Sequence, residues 1–347
     1  MKYEKTLKSL CQTPKLTEEH IKFIFKKWDS VDVEVTKKNL GRDGFDIQTD
    51  EGRCYVTERP ISDLNKKWGR VTALQERMLN LSIPVPLFIG EGTIVRDIGR
   101  INKTDDPYKS ASEWLHENFT PDVYATYFNK YFSVSDSLAD YKTIIFEAIE
   151  AYHMGLDHIA IMSLFPVFEA GLRNIQVCIL NQGINTVSTV EFEKGLKELI
   201  MQRGRNYMSP YIWHPGKGYN SEVEIDFLTH VNPQCDVINA FRKFFSSVLY
   251  KPSGSDRSLN GFNRHLIVHL LKNDFHEPSN FPRIILALTH IMFIESLQNE
   301  KVPFFWPGID QVDMELGSYL RKLTDAIFIS RRKLLDSLTT CASCTEP

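Results

Sequence analysis

The sequence predicts a mainly α-helical protein with a small α+β region in its N-terminal part. Two observations lead to this prediction. From about residue 111 onward, apolar residues recur at helical spacing over long segments, which is typical of packed helices. Before that point, residues 31–35 and 45–56 alternate between apolar and polar side chains and are bounded by turn residues, which indicates short strands.

Residues 1–108 are expected to form the α+β region, which would sense a trigger or bind a partner. Thr17 is the expected N-cap of a short helix that continues to Trp28. The two alternating segments then predict a strand hairpin, and a helix is expected over 62–81.

A glycine-containing run at 90–93 resembles a phosphate-binding loop only superficially. The run reads Gly-Glu-Gly-Thr, without the Gly-Lys-Ser/Thr of a phosphate loop, and no helix is expected directly after it. The sequence therefore does not predict a nucleotide site of that type here.

Residues 109–300 are expected to form an up-and-down helical bundle, followed by an amphipathic helix and tail at 301–347. The segment 206–221 contains prolines and glycines and is expected to be a loop. The predicted helices after residue 135 cover 136–155, 157–181, 190–203, 234–250, 262–273, 280–299 and 311–338.

Composition excludes several classes of protein. The chain has 347 residues and a formal net charge of −3, so an RNA site would need a local basic patch. Apolar runs stay well short of the ~20 residues that a bilayer crossing requires, and the first residues lack the apolar segment of a secretory signal. Six scattered cysteines fit a reducing compartment, and Cys341-x-x-Cys344 is interpreted as part of the tail. These features predict a cytoplasmic protein without a membrane segment.

The segment 264–269, Arg-His-Leu-Ile-Val-His, is the best candidate for chemistry in the chain. An apolar helix gains nothing from burying three such polar groups, because each costs free energy to desolvate. His265 and His269 are one helical turn apart and project from nearly the same face. Arg264 lies at the helix entrance, where Asn260 or Asn263 is the expected N-cap.

This segment resembles the motif of the HEPN superfamily, a set of small helical-bundle domains that includes many metal-independent ribonucleases of bacterial toxins and antiviral systems. The heptapeptide 263–269, Asn-Arg-His-Leu-Ile-Val-His, is similar to the form Asn-Arg-His-x-Ile-x-His. Upstream, 166–173 is similar to the Pro-x-x-Glu-x-x-Leu-Arg helix that often precedes the motif, and 281–297 follows as an apolar helix. The resemblance covers about 135–300. One difference is Leu270, where many relatives have a glycine.

The resemblance implies an endoribonuclease that works as a homodimer, as a toxin or antiviral effector, without metal or cofactor. His269 would carry out acid–base chemistry, Arg264 would contact the phosphate, and His265 would orient groups or carry a second proton. An inhibitory or sensing protein partner is also expected. The alternative is a non-catalytic HEPN-like dimer that binds a nucleotide, RNA or protein.

Other residues are candidates for supporting roles. Glu169 is expected to pair with an arginine of the bundle or to orient a histidine, with Arg173 beside it on the same helix. The expected substrate-binding residues are Asn263, Lys272, Arg242 and Lys243. A metal cluster is a weaker interpretation, since Arg264 would disfavour a bound cation and no His-Glu-x-x-His spacing occurs. Its members would be His265, His269, His276, Glu277 and His290.

Overall fold

The computed structural model describes residues 1–63, 70–180, 188–251, 262–271 and 274–342. It confirms a mainly helical chain with a small antiparallel sheet in the N-terminal part. The strands are β1 (Glu34–Asn39), β2 (Asp43–Thr49) and β3 (Gly52–Thr57). The α-helices are α1 (Glu4–Leu10), α2 (Glu18–Asp29), α3 (Val71–Met78), α4 (Glu91–Ile101), α5 (Pro107–Asn118), α6 (Pro121–Tyr127), α7 (Lys142–His153), α8 (Asp157–Leu180), α9 (Thr189–Tyr207), α10 (Ser221–Val231), α11 (Pro233–Phe244), α12 (Arg264–Val268), α13 (Asn280–Ser296), α14 (Gln311–Leu323) and α15 (Ile329–Ala342).

The chain divides into two compact units that do not follow the predicted domain boundaries. Unit 1 comprises residues 1–73 and 194–242, and unit 2 comprises 74–193 and 243–347. The sequence had placed a boundary near 108 and all of 194–242 in the bundle. Pairing between residues distant in sequence is the reason for the difference, and local sequence patterns do not reveal such pairing.

Unit 1 is built around a three-stranded antiparallel sheet in the order β1-β2-β3. Phe45 lies opposite Lys37 on β1 and Val56 on β3. One face of the sheet packs with α1 and α2 through a core that includes Tyr3, Phe25 and Ile47. The predicted hairpin is thus a three-stranded meander, because the turn at 50–51 divides the segment 45–56 into two strands.

Residues from the later part of the chain complete unit 1. Trp213 accepts a hydrogen bond from the Tyr55 backbone N–H at 3.0 Å, beside β3. Buried Arg70 contacts His230 and Thr229 on α10 at 3.0 and 2.6 Å. These contacts assign the region 194–242 to unit 1.

Unit 2 is organised around α8, a 24-residue helix that packs against α7 and α13. The apolar side chains of α8 include Phe165, Phe168 and Leu172, all fully buried. Pro166 lies inside the helix without ending it. The short helix α12 also packs against α8, and this contact positions the motif.

Several helices differ from their predicted bounds. The predicted motif helix over 262–273 is a five-residue helix, α12, followed by a turn at 269–270. Helix α10 begins at Ser221, the last residue of the predicted loop 206–221, and α4 begins directly after Gly90; no helix is predicted from the sequence at either place. The last predicted helix is divided by a π-turn at Thr324–Phe328.

Candidate functional site

The candidate site forms where α12 packs against α8 in unit 2. Asn263 is the N-cap of α12, and its side-chain oxygen accepts from the backbone N–H groups of His265 and Leu266 at 3.0 and 3.4 Å. Its amide nitrogen donates to the carbonyls of Val248 and Lys251 at 3.2 and 2.9 Å. Asn263 is 1% exposed, so it holds the start of α12 in place and has no surface left to present to a substrate.

Arg264 forms an ion pair with Glu169 of α8. Its Nε donates to Oε1 of Glu169 at 2.7 Å. The Tyr250 hydroxyl donates to the same oxygen at 2.6 Å. Burial, and then the neighbouring Glu169 carboxylate, raises the pKa of Tyr250, so this hydroxyl remains a donor. Glu169 is buried, whereas the Arg264 side chain is one-fifth exposed.

The two imidazoles of the motif lie beside this guanidinium. The ring centroids of His265 and His269 are 4.7 Å apart, and both residues are exposed. Nε2 of His269 lies 3.5 Å from Nη1 of Arg264, at the outer limit of a hydrogen bond. A guanidinium has only donors, so a hydrogen bond here requires Nε2 to be the acceptor. Arg264, His265 and His269 therefore form one solvent-reachable cluster.

Leu270 has a left-handed backbone conformation directly after the cluster. Its φ is 51°, a region that costs a non-glycine residue roughly 1–2 kcal/mol. The turn is closed by the Leu270 and Leu271 N–H groups, which donate to Ile267 and Leu266 at 3.1 and 3.0 Å. A glycine would adopt this conformation without a Cβ penalty. The position that differs from the HEPN pattern is thus one where the backbone favours glycine.

The remaining predicted site residues lie in different environments. Arg173 is on α8 four residues after Glu169 and is half-buried, as is Lys243. Arg242 belongs to unit 1 and is buried, donating to Asn239 at 3.0 Å and Glu222 at 3.4 Å. The guanidinium of Arg242 is therefore occupied by contacts within unit 1. Lys272 falls outside the described residues.

The alternative metal cluster is not assembled in the described part of the chain, where no three metal-liganding side chains come together. His276 stacks on His158 with ring centroids 4.9 Å apart. His290 is fully buried, and its Nε2 bonds the Val85 carbonyl at 3.0 Å. Glu277 accepts from the Ser279 hydroxyl. None of these contacts of His276, His290 and Glu277 involves His265 or His269.

Tyr250 is the member of the site that the sequence did not reveal. Tyr250 lies at the end of the predicted helix 234–250 and has the pattern of a core aromatic residue. Its ring does stack on that of Phe245, with ring centroids 4.3 Å apart. Only its hydroxyl reaches Glu169. An aromatic residue next to a charged loop offers no signal by which this contact could have been predicted.

Comparisons with protein-family models, with curated proteins and with solved structures gave no match to this chain. Among the described helices, none has the length and apolar character needed to cross a membrane.

Proposed function

We propose that this protein is a metal-independent endoribonuclease of HEPN type, with a HEPN-like helical bundle in unit 2. The observation that supports the proposal best is the juxtaposition of one anchored guanidinium and two exposed imidazoles within six consecutive residues. RNA cleavage without metal needs a proton acceptor, a proton donor and a cation near the phosphate. Arg264, His265 and His269 supply groups of these three kinds.

In the proposed reaction the 2′-hydroxyl of RNA attacks the adjacent phosphorus. The O2′–P bond forms and the P–O5′ bond breaks, which yields a 2′,3′-cyclic phosphate and a free 5′-hydroxyl. One imidazole takes the proton from the 2′-hydroxyl, and a protonated imidazole donates one to the leaving O5′. His269, whose Nε2 lies 3.5 Å from Nη1 of Arg264, is the proposed base, and His265 is proposed for the second proton transfer.

Arg264 would stabilise the pentavalent phosphorane through its Nη groups. Glu169 binds Nε, so the carboxylate fixes the orientation of the guanidinium and leaves the Nη edge for phosphate oxygens. Tyr250 restrains the same carboxylate oxygen. This makes Glu169 and Tyr250 positioning residues rather than catalytic ones.

A homodimer would complete the site, and two exposed leucines support that part of the proposal. Leu270 and Leu271 are 64% and 58% exposed and follow His269 directly. An apolar surface beside a polar cluster is typical of a surface that a partner covers. A second copy of this chain is the expected occupant, with the two clusters meeting across a twofold axis.

The proposed setting is the cytosol of a cell in which the enzyme acts as a toxin or antiviral effector. The acidic net charge of −3 means that RNA must be attracted by the site itself and not by the field of the whole protein. An inhibitory or sensing partner is proposed to act through unit 1.

The test is cleavage of total RNA by the purified chain in the presence of a chelator. The wild type is expected to produce fragments with 2′,3′-cyclic phosphate ends, whereas His269→Ala and His265→Ala should lose at least a hundredfold in rate. His20→Ala, a histidine change on α2 in unit 1, serves as the matched control and should cleave normally. Absence of cleavage by the wild type would overturn the proposal.

A second candidate is a non-catalytic HEPN-like dimer that binds a nucleotide, RNA or protein. The ion pair of Arg264 with buried Glu169 favours it, because the same contact could serve only to hold α12 on α8. RNA binding without cleavage, lost in Arg264→Ala, would support this candidate instead.

A further inference from the structure

Arg173 of α8 is a cation beside the candidate site that the proposed mechanism does not use. It lies four residues after Glu169, the residue to which Arg264 is anchored. Four residues make about one turn of an α-helix, or about 6 Å along its axis, so Arg173 and Glu169 project from the same side of α8. Arg173 therefore begins one helical turn from the point where Arg264 meets α8.

The guanidinium of Arg173 has no partner in the described part of the chain, where neither an ion pair nor a hydrogen bond reaches it. A glutamate four residues away is a common partner of a helical arginine, but Oε1 of Glu169 already accepts from Arg264 and from the Tyr250 hydroxyl. Arg173 is nevertheless half-buried, and a partly desolvated charge without a counterion costs free energy. The position thus favours an anion that comes from outside the chain.

Arg264, Arg173 and Glu169 together leave one positive charge uncompensated. The whole chain carries a formal net charge of −3, so an RNA strand has to be held by such a local excess of positive charge. Guanidinium groups suit this task, because their planar set of N–H donors matches the oxygens of a phosphate. Since the proposed mechanism places Arg264 at the scissile phosphate, Arg173 is left for a second one.

The spacing along α8 distinguishes two kinds of ligand that carry consecutive phosphates. The two phosphates of a nucleoside diphosphate share a bridging oxygen, so they lie much closer together than the ~6 Å spanned by four helical residues. Neighbouring phosphates of a polynucleotide are separated by a whole sugar, a distance comparable to one helical turn. The arrangement therefore favours consecutive phosphodiesters of an RNA strand over a free nucleotide.

We infer that Arg173 binds the phosphodiester next to the one held by Arg264, so that the substrate is an RNA strand with at least two consecutive phosphodiesters. The inference rests on the proposed function, because it takes Arg264 as the residue at the scissile phosphate. Arg173 is then a substrate-binding residue, since the phosphate that it contacts does not react. It sets a minimum length, because a trinucleotide has both phosphodiesters and a dinucleotide lacks the second.

The experiment measures the binding of two trinucleotides to the full chain by calorimetric titration. Both carry 2′-O-methyl groups, which remove the attacking hydroxyl and so prevent cleavage. One trinucleotide has two phosphodiesters, whereas in the other trinucleotide one of the two linkages is an uncharged methylphosphonate. The wild type should bind the fully charged trinucleotide about tenfold more tightly, which is the usual effect of one hydrogen bond to a charged group.

Arg173→Gln should reduce this difference to about twofold or less, because the second phosphate loses its cation. The variant should also make the dependence of log affinity on log salt concentration less steep by about 0.7 for the charged trinucleotide, the value for one phosphate contact on a single strand. Arg173→Gln breaks no ion pair or hydrogen bond among the described residues, so it is expected to fold. Arg173→Lys keeps the charge and should retain part of the difference. Arg77→Gln, which removes an exposed arginine of α3 in unit 2, is the matched control and should bind like the wild type.

Equal binding of the two trinucleotides by the wild type, or a difference that persists in Arg173→Gln, would overturn the inference. Failure of the wild type to bind the charged trinucleotide would do the same, as would equally tight binding of adenosine diphosphate. The result is separable from the ribonuclease test, because the trinucleotides are not cleaved. Cleavage of RNA by a wild type that binds both trinucleotides equally would refute only the inference, whereas two-phosphate binding without cleavage would refute only the endoribonuclease.

Discussion

Nε of Arg264 lies 2.7 Å from Oε1 of Glu169, so the arginine of the motif is anchored to helix α8. This contact joins the two sequence elements that carried the resemblance to the HEPN superfamily, 166–173 and 263–269. Under the proposed mechanism Arg264 has two roles, because it holds α12 on α8 through Glu169 and would also offer its Nη groups to a phosphate. Changes at this position will therefore affect stability as well as activity.

Arg264→Ala is expected to lower the free energy of unfolding by about 1–3 kcal/mol, because it leaves the buried Glu169 carboxylate without a cation. The measurement is urea unfolding followed by circular dichroism.

Glu169→Gln in the Arg264→Ala background should restore most of the lost stability, because the amide oxygen can still accept from Tyr250 while the unpaired charge is gone. Arg100→Ala, an exposed arginine on α4, is the matched control. A double variant that is no more stable than Arg264→Ala would contradict the ion-pair account. RNA cleavage should stay absent in the stabilised double variant, which separates the two functions of Arg264.

Leu270→Gly should leave the melting temperature unchanged or raise it. The gain from relieving a residue at φ 51° is about 1 kcal/mol or more, which offsets the entropic cost of a glycine. Leu334→Gly, at an exposed leucine within α15, should instead lower stability by about 1 kcal/mol. Differential scanning calorimetry of both variants is the measurement. Equal losses in the two variants would show that the turn is not strained.

Leu271→Asp should weaken self-association and reduce RNA cleavage to the same degree. The substitution places a charge on the exposed apolar surface proposed to meet a second copy, where an unpaired charge would be costly to desolvate. Phe23→Asp, at a 58% exposed aromatic residue on α2, is the control and should change neither property. Sedimentation velocity over a range of concentrations measures the association. A monomeric wild type that cleaves RNA would refute the dimer.

Stability should fall between about pH 6.5 and pH 4, in part because of His290. Burial lowers the pKa of His290 to about 4, so the unfolded chain gains a proton in this window before the folded protein does. The free energy of unfolding then decreases by roughly 1.4 kcal/mol per pH unit for this one group.

The glutamine in His290→Gln can still donate to the Val85 carbonyl but does not titrate. The slope of its unfolding free energy against pH should therefore be smaller than that of the wild type, by up to the contribution of one proton. Urea unfolding at half-unit steps from pH 7.5 to pH 4.5 tests this expectation. A slope equal to that of the wild type would show that His290 takes up its proton over the same pH range in the folded and unfolded states, and would contradict the expectation.

The sequence predicted features that depend on local pattern. Helical spacing predicted α8 to within a residue of its end and α13 to within three. The spacing of His265 and His269 placed their rings together. It could not predict that α12 ends at Val268, because apolar residues continue through Leu271 and the end of the helix depends on the left-handed turn at Leu270.

Contacts between residues distant in sequence could not be predicted from local sequence patterns. Tyr250 joins the site only through its hydroxyl, and nothing in the flanking residues distinguishes it from a core aromatic residue. The sequence predicts Arg242 as a substrate-binding residue because it lies in a basic dipeptide, but its side chain is buried and contacts Asn239 and Glu222. The assignment of 194–242 to unit 1 was missed for the same reason, because it depends on a contact between distant residues, that of Trp213 with β3.

The most direct test of the central claim is the product of RNA cleavage by the wild type and His269→Ala in the presence of a chelator. We predict that the wild type yields 2′,3′-cyclic phosphate and 5′-hydroxyl ends. His269→Ala should form these products at least a hundredfold more slowly. Its melting temperature should be unchanged, since His269 is exposed. Cleavage by His269→Ala at the wild-type rate, or cleavage that the chelator abolishes, would contradict it.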